Sequence, residues 1–355
     1  MSEGVPMAAH HTAVVGAELN DSLNDAYADV GGVRLHYVEA GDGPLVVLLH
    51  GFPEFWYSWR HQIPALAAAG YRVVAPDMRG YNLSDRPHDW RLYDGGHLAG
   101  DVAGLIRSLG EERAYVVGHD WGAAVAYTTA MLHPEVVRRL AILNVPHTAR
   151  MLEGFRTLKQ LRKSWYMFFF QIPGLPERGF SRDRFSFAKR SLRADSPGAF
   201  TDEDLERYVE AWSQPGAPTG MINYYRAALR QSPRKTAARL APIAAPTMVI
   251  WGERDRHLGA ELAEPPARLV PDLRMEWIPE ATHWVQHDAP ERVNALLVDF
   301  LRDGDSPAPA DGNSQTLVDG DSAAPVDGDP PALVDGDSAA PVDGDLPAPA
   351  DDPPA

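Results

Sequence analysis

Between residues 29 and 302, short runs of β-branched and other apolar residues alternate with windows whose apolar positions recur at helical spacing. Runs at 33–38, 45–49, 72–75, 114–117, 140–143, 247–251 and 275–278 read as strands. Windows at 57–69, 97–109, 121–132 and 290–301 read as helices. Strands that alternate with helices imply an α/β chain, with a mostly parallel central sheet covered by helices on both faces.

One stretch breaks this alternation. From 146 to 239 there is no strand signal, only an aromatic and Arg-rich helical pattern punctuated by Pro173, Pro176, Pro197 and Pro215. A helical insertion between two strands is most simply a cap over the carboxyl edge of the sheet, where open α/β sheets bind ligands. The expected organisation is an N-terminal extension at 1–28, a core in two parts at 29–145 and 240–303, the helical cap at 146–239, and a tail at 304–355. The tail contains a direct repeat, with 317–332 and 333–348 differing at one position. A Pro, Gly, Asp and Ala composition buries too little apolar surface to offset chain entropy, so this segment is expected to be a disordered spacer. Its VDGD units resemble fragments of a calcium loop but lack the closing Glu and regular ligand spacing.

Composition narrows the picture in a few places. With 355 residues, 45% of them hydrophobic, the chain can bury a large core. Twelve of its acidic residues are Asp in the segment from Asp305 onward, so the formal charge of −16 leaves only −4 for the rest. A mildly acidic body with no basic patch gives no reason to expect nucleic acid or an anionic membrane as partner. There is no cysteine, which excludes disulfides, thiolate catalysis and Cys-based metal sites. No apolar run approaches the ~18 residues of a membrane span, and the N-terminus does not read as a signal peptide, so a cytoplasmic location is expected.

The chemistry centres on Gly118-His119-Asp120-Trp121-Gly122, which lies between a strand and a helix. This is a small-x-nucleophile-x-small turn whose glycines let the central side chain project at a helix N-terminus. Asp in place of the usual Ser limits the reaction. A serine attacking an alkyl carbon would leave an ether, whereas a carboxylate leaves an ester that water can cleave, and it needs no prior deprotonation. The substrate is then an electrophilic sp3 carbon, in an epoxide or an alkyl halide. An acid and a base follow in the expected chain order, Asp255 after one late strand and His283 after the next. Glu253 is the rival acid and His287 the rival base. Two oxyanion donors are expected, the backbone N–H of Trp121 and that of Phe52 in the loop after strand 45–49.

These residues, with HGFPEFWYSWR at 50–60, PDMRGY at 76–81 and GHDWGAA at 118–124, resemble the epoxide hydrolases of the α/β-hydrolase fold over residues 29–303. The resemblance implies a cis bond between Phe52 and Pro53. It also implies two tyrosines on the cap, Tyr166 and Tyr225, that donate to the epoxide oxygen. Tyr224 and the neighbouring Phe169 and Phe170 are read as core or pocket wall. Trp165, Met167, Phe168 and Trp284 would make the pocket apolar and suit an alkyl or aryl epoxide. Haloalkane dehalogenases share the Asp nucleophile and the following Trp, and Trp165 and Trp212 keep that alternative open as halide donors. Against it stand the two tyrosines and Phe52 where dehalogenases commonly have Asn. Fluoroacetate dehalogenases typically carry Arg where Trp121 stands. One departure from the family pattern is Asn82 in place of a Gly, at a position Asn can occupy because it tolerates left-handed backbone. The implied enzyme makes vicinal diols without a metal or organic cofactor, as a monomer or homodimer.

Overall fold

A computed structural model describes residues 23–302. The first 22 residues and the expected tail at 304–355 lie outside the described residues. The described chain opens with strands β1 (Asn24–Val30), β2 (Val33–Ala40) and β3 (Leu45–Leu49), then α1 (Gln62–Ala68) and β4 (Arg72–Pro76). It continues through α2 (Gly95–Ser108), β5 (Ala114–His119), α3 (Trp121–Leu132) and β6 (Val137–Leu143). A run of helices without strands follows: α4 (Thr148–Gly154), α5 (Leu158–Lys163), α6 (Trp165–Phe169), α7 (Leu175–Asp195), α8 (Asp202–Trp212), α9 (Ala217–Arg230) and α10 (Pro233–Ala238). Strands β7 (Thr247–Gly252) and β8 (Leu273–Ile278) and helices α11 (Val285–Asp288) and α12 (Pro290–Arg302) close it.

Eight strands among the described residues form one sheet in the order β1-β2-β4-β3-β5-β6-β7-β8. β2 runs antiparallel to β1 and β4, and every other pairing is parallel. From β3 the chain turns first to β4 on one side and then crosses to β5 on the other. The crevice between the ends of β3 and β5 is therefore the switch point at which such sheets bind ligands. Register brings the strand ends level there, with Leu49 opposite Gly118, His119 opposite Leu143, and Leu143 opposite Ile250.

Period-two alternation sends neighbouring strand residues to opposite faces. Val47, Leu49, Val116 and Ile142 pack with Leu98, Val102 and Ile106 of α2 and Ala126 and Tyr127 of α3. Val46, Leu48, Val117 and Leu143 pack with Ile63 and Leu66 of α1 and Val293, Leu297 and Phe300 of α12. Both faces are covered, which explains why β3 reads LVVLL without a polar residue.

Two expectations need correction. The N-terminal extension does not run to residue 28, because β1 begins at Asn24 and pairs along its length with β2. Its sequence, NDAYADV, hides the strand: it is an edge strand with one neighbour, and most of its side chains are not buried. The helix expected at 57–69 is instead a turn of 3-10 helix at Trp56–Trp59 followed by α1. Pro64 lies in the first turn of α1, the one place where its missing N–H costs nothing.

Helices α4 to α10 account for the stretch at 146–239, and α7 is interrupted at residues 182–185, where Arg182 is extended and residues 183–185 take left-handed backbone. The inner side of this insert meets the loops at the carboxyl edge. Gly220 of α9 lies so close to the 77–85 loop that a Cβ there would stand 2.4 Å from the Gly80 carbonyl oxygen. Asn82 in that loop takes φ 38° and donates from Nδ2 to Asp77 at 2.8 Å.

Candidate active site

Asp120 follows β5 and precedes α3 with φ 49° and ψ −122°, a conformation that aims its carboxylate out of the sheet edge. Only glycine fits around it. A Cβ on Gly122 would stand 2.0 Å from the Leu49 carbonyl oxygen, and one on Gly51 would stand 2.3 Å from the Asp120 Cβ. The turn after β3 is thereby pressed against Asp120. The Phe52–Pro53 bond in it is cis, and the Phe52 N–H donates to Asp120 Oδ1 at 2.8 Å.

On its other side Asp120 Oδ2 lies 3.4 Å from His283 Nε2. His283 Nδ1 is 2.8 Å from Asp255 Oδ2. Asp255 is buried and saturated with donors: the N–H groups of His257 and Leu258 reach Oδ1 at 2.7 and 2.8 Å, and Asn144 Nδ2 reaches Oδ2 at 3.0 Å. Burial works against charge on all three groups, yet their mutual contacts outweigh it. His283 is raised to about 10, with the charge of Asp255 the largest favourable cause and the Asp120 hydrogen bond next. Asp255 is held far below the usual carboxylate range by the His283 charge and hydrogen bond and by its other donors. Asp120 is also lowered, chiefly by His283. At neutral pH the three therefore form a carboxylate–imidazolium–carboxylate chain.

Above Asp120 sit the two tyrosines. Their ring centroids are 5.7 Å apart, with Tyr225 edge-on to Trp121 at 5.0 Å and to Phe52 at 5.2 Å. Burial first, and the Asp120 charge among the other causes, push both phenols above their ordinary value. Both stay protonated donors across the ordinary pH range. Tyr224 faces away, its hydroxyl donating to the Arg79 carbonyl at 2.8 Å.

Among the other residues singled out in the sequence, Met167 is buried with Phe170, Ile222 and Tyr225, and Phe52, Trp121 and Tyr166 pack against that group. Trp284 is buried beside the His283 ring, 5.1 Å between centroids. Trp165 and Phe168 do not wall the pocket: they are 61% and 50% exposed. The reason is helical phase, since Tyr166, Met167 and Phe170 share the inner face of α6 and its C-cap while 165 and 168 fall on the outer one. Glu253 is exposed and holds no ring of His283. His287 points into a separate buried cluster, with Nε2 2.7 Å from Glu54.

Residues 44–290 match the alpha/beta hydrolase fold family. The AB hydrolase superfamily protein YfhM of Bacillus subtilis (strain 168) is 41% identical over 288 residues, which are 80% of this chain and 99% of that protein. Human epoxide hydrolase 4 is 41% identical over 282 residues, 77% of this chain and 76% of that protein. The crystal structure of epoxide hydrolase A from Mycobacterium thermoresistibile superposes with a TM-score of 0.69 at 36% identity, covering 79% of this chain and 98% of that one. The chain belongs to the epoxide hydrolases of the α/β-hydrolase fold.

This epoxide hydrolase also has supporting residues that the sequence reading passed over. Asn144, at the end of β6 with φ 46°, accepts from the Gly252 N–H at 2.8 Å while donating to Asp255, so it ties the acid loop to the sheet. Glu54, two residues after Phe52, is a buried carboxylate that accepts from Tyr208 at 2.8 Å and Gln286 at 3.1 Å, and lies 2.7 Å from His287 and 3.2 Å from His119. Burial opposes its charge, but His287 and His119 keep it well below the usual carboxylate range. His119 in turn reaches the His283 carbonyl oxygen at 2.8 Å. The motif HGFPE and the His beside Asp120 were visible signals. What they touch was not, because Tyr208, Gln286 and His287 lie more than 150 positions from Glu54.

Proposed function

We propose that this protein hydrolyses apolar epoxides to vicinal diols through a covalent ester on Asp120, with helices α4 to α10 serving as a cap over the site. The observation that carries the reading is the pair of protonated phenols, Tyr166 and Tyr225, set opposite a carboxylate that has no proton to lose. Ring opening moves negative charge from the attacking carboxylate to the epoxide oxygen, and two donors at that end stabilise the charge where it develops.

In the first step an Asp120 carboxylate oxygen bonds to an epoxide carbon as the carbon–oxygen ring bond breaks. The released oxygen takes its proton from the tyrosine pair, leaving a hydroxyalkyl ester and a phenolate. Esterification removes the Asp120 charge, and with it one of the two carboxylates that hold His283 protonated. His283 then loses its proton more readily; that proton passes through solvent to the phenolate, which restores the tyrosine pair and leaves His283 as a base for the second step. Asp255 keeps the ring oriented so that Nε2 takes a proton from water. That water attacks the ester carbonyl carbon, and the oxyanion is held by the Phe52 N–H, already 2.8 Å from Oδ1, and by the Trp121 N–H at the start of α3. Collapse releases the diol and restores the carboxylate. Every group needed is a side chain or backbone N–H of this chain. Trp121, Met167 and the Phe52 and Phe170 rings make the surroundings apolar, which favours alkyl or aryl epoxides.

Separate incubations with styrene oxide and with 1-bromobutane test the substrate class. Diol formation from the first without bromide release from the second is expected. Bromide release without diol formation would replace this reading with that of a haloalkane dehalogenase.

A further inference from the structure

We propose that the outer face of the helical insert is a docking surface for an anionic lipid bilayer. The face consists of an apolar stripe bounded by arginines: Arg162, Trp165, Phe168, Ile172, Leu175 and Arg178, spaced three or four residues apart and all exposed. Trp165 is 61% exposed, Leu175 52%, Phe168 50% and Ile172 45%, four of the ten large apolar side chains exposed among the described residues. They follow one another around α6 and the turn into α7, where the Gln171 and Ile172 N–H groups bond back to the Phe168 and Phe169 carbonyls. Exposed aromatic and aliphatic side chains gathered within one short segment mark a surface that is covered in use.

Charge identifies the cover. Residues 156–190 contain nine Lys and Arg but only two acidic residues, Glu177 and Asp183, within a chain whose net charge is −16. The whole-chain sum conceals this segment, which is why composition alone gave no reason to expect a membrane. Some of these cations are matched locally, Lys159 by Glu261 and Arg184 by Glu206. The segment as a whole remains strongly basic. A protein partner with a deep apolar pocket would account for the aromatics alone. Aromatic rings and aliphatic side chains flanked by basic residues match the acyl–headgroup boundary of a bilayer, with the rings at the interface and the arginines among the phosphates. No helix among the described residues is long and apolar enough to cross a membrane, so the attachment is peripheral. The opposite face of α6 carries Tyr166 and Met167 toward Asp120, so docking would set the catalytic pocket one helix away from a phase that concentrates apolar substrates.

The test is co-sedimentation of the full chain with sucrose-loaded vesicles, of phosphatidylcholine alone and of an equal mixture with phosphatidylglycerol. Binding to the mixed vesicles that weakens as salt is raised, with little binding to phosphatidylcholine alone, is expected. W165S/F168S should lower the partition coefficient about tenfold or more. R162E/R178E should lower it by roughly fivefold per reversed arginine. All four positions are exposed, and unchanged near-ultraviolet circular dichroism confirms that each variant folds. No sedimentation with the mixed vesicles, or sedimentation that neither variant weakens, overturns the proposal. So does a dimer of the protein alone that W165S/F168S dissolves in sedimentation velocity, because the stripe would then cover a second copy. The readout is sedimentation, so it stands apart from the outcome of the activity assays.

Discussion

His283 lies between two carboxylates, and the pH behaviour of the site follows from that position. Its pKa of about 10 means that the resting imidazole is charged, and the proposed second step needs it neutral. Replacing Asp120 by Asn imitates the charge change of esterification. In this variant the His283 pKa should fall below about 10, so that the ring loses its proton at a lower pH, as followed by NMR titration of labelled histidine. An unchanged pKa would mean that Asp120 does not control the base. The tyrosines make a separate prediction. The double variant Y166F/Y225F should lose nearly all ring opening, whereas Y224F, whose hydroxyl is spent on the Arg79 carbonyl, should keep most of it; single-turnover decay of epoxide measures both. At this scale the residues that meet at the candidate site were legible because each lies in a local motif: a Gly-flanked turn, a loop after a late strand, a Tyr before Arg. Asn144 and Glu54 were not legible, since what distinguishes them is a contact across the fold. Trp165 and Phe168 were misplaced because composition gives aromaticity but not helical phase.

At the scale of elements, the site depends on how closely β3 and α3 approach. Gly122 lets the first turn of α3 rest on the Leu49 and His50 carbonyls, and the same contact sets the distance between the Phe52 N–H and Asp120. Gly122→Ala should therefore destabilise the fold by about 1–3 kcal/mol through overpacking, read by urea unfolding. It should also reduce activity by more than that loss of folded protein explains, because the Phe52 N–H proposed to hold the oxyanion moves with β3. Wild-type activity in the folded variant would contradict this. The central strands and α2, α3 and α12 could be read from periodicity, being long or buried on both faces. β1 could not, since an edge strand with two acidic residues among seven has neither an apolar run nor a clean alternation.

Across the whole molecule, the acidic charge and the apparatus of the site are separated along the chain. The residues that make the sheet, the insert and the site all fall within 23–302, and the twelve Asp of the terminal segment fall beyond it. A chain ending at residue 302 should keep its diol-forming activity, with a melting temperature within about 2 °C of the full chain by differential scanning fluorimetry. A large drop in either would give the repeat segment a part in folding or catalysis. The fold class was legible at this scale because a helical block interrupting strand–helix alternation has few architectural solutions. The basic outer face of the insert was hidden, because a sum over the chain averages it with the acidic end.

The covalent ester on Asp120 is the centre of the account, and isotope transfer in a single turnover tests it most directly. With enzyme in excess over styrene oxide in heavy-oxygen water, the first diol should be unlabelled, its new oxygen coming from Asp120. One heavy oxygen should then appear in the peptide that carries Asp120, as read by mass spectrometry. Label entering the diol in that first turnover, with none in the peptide, would mean that water attacks the epoxide directly and that Asp120 is not the nucleophile.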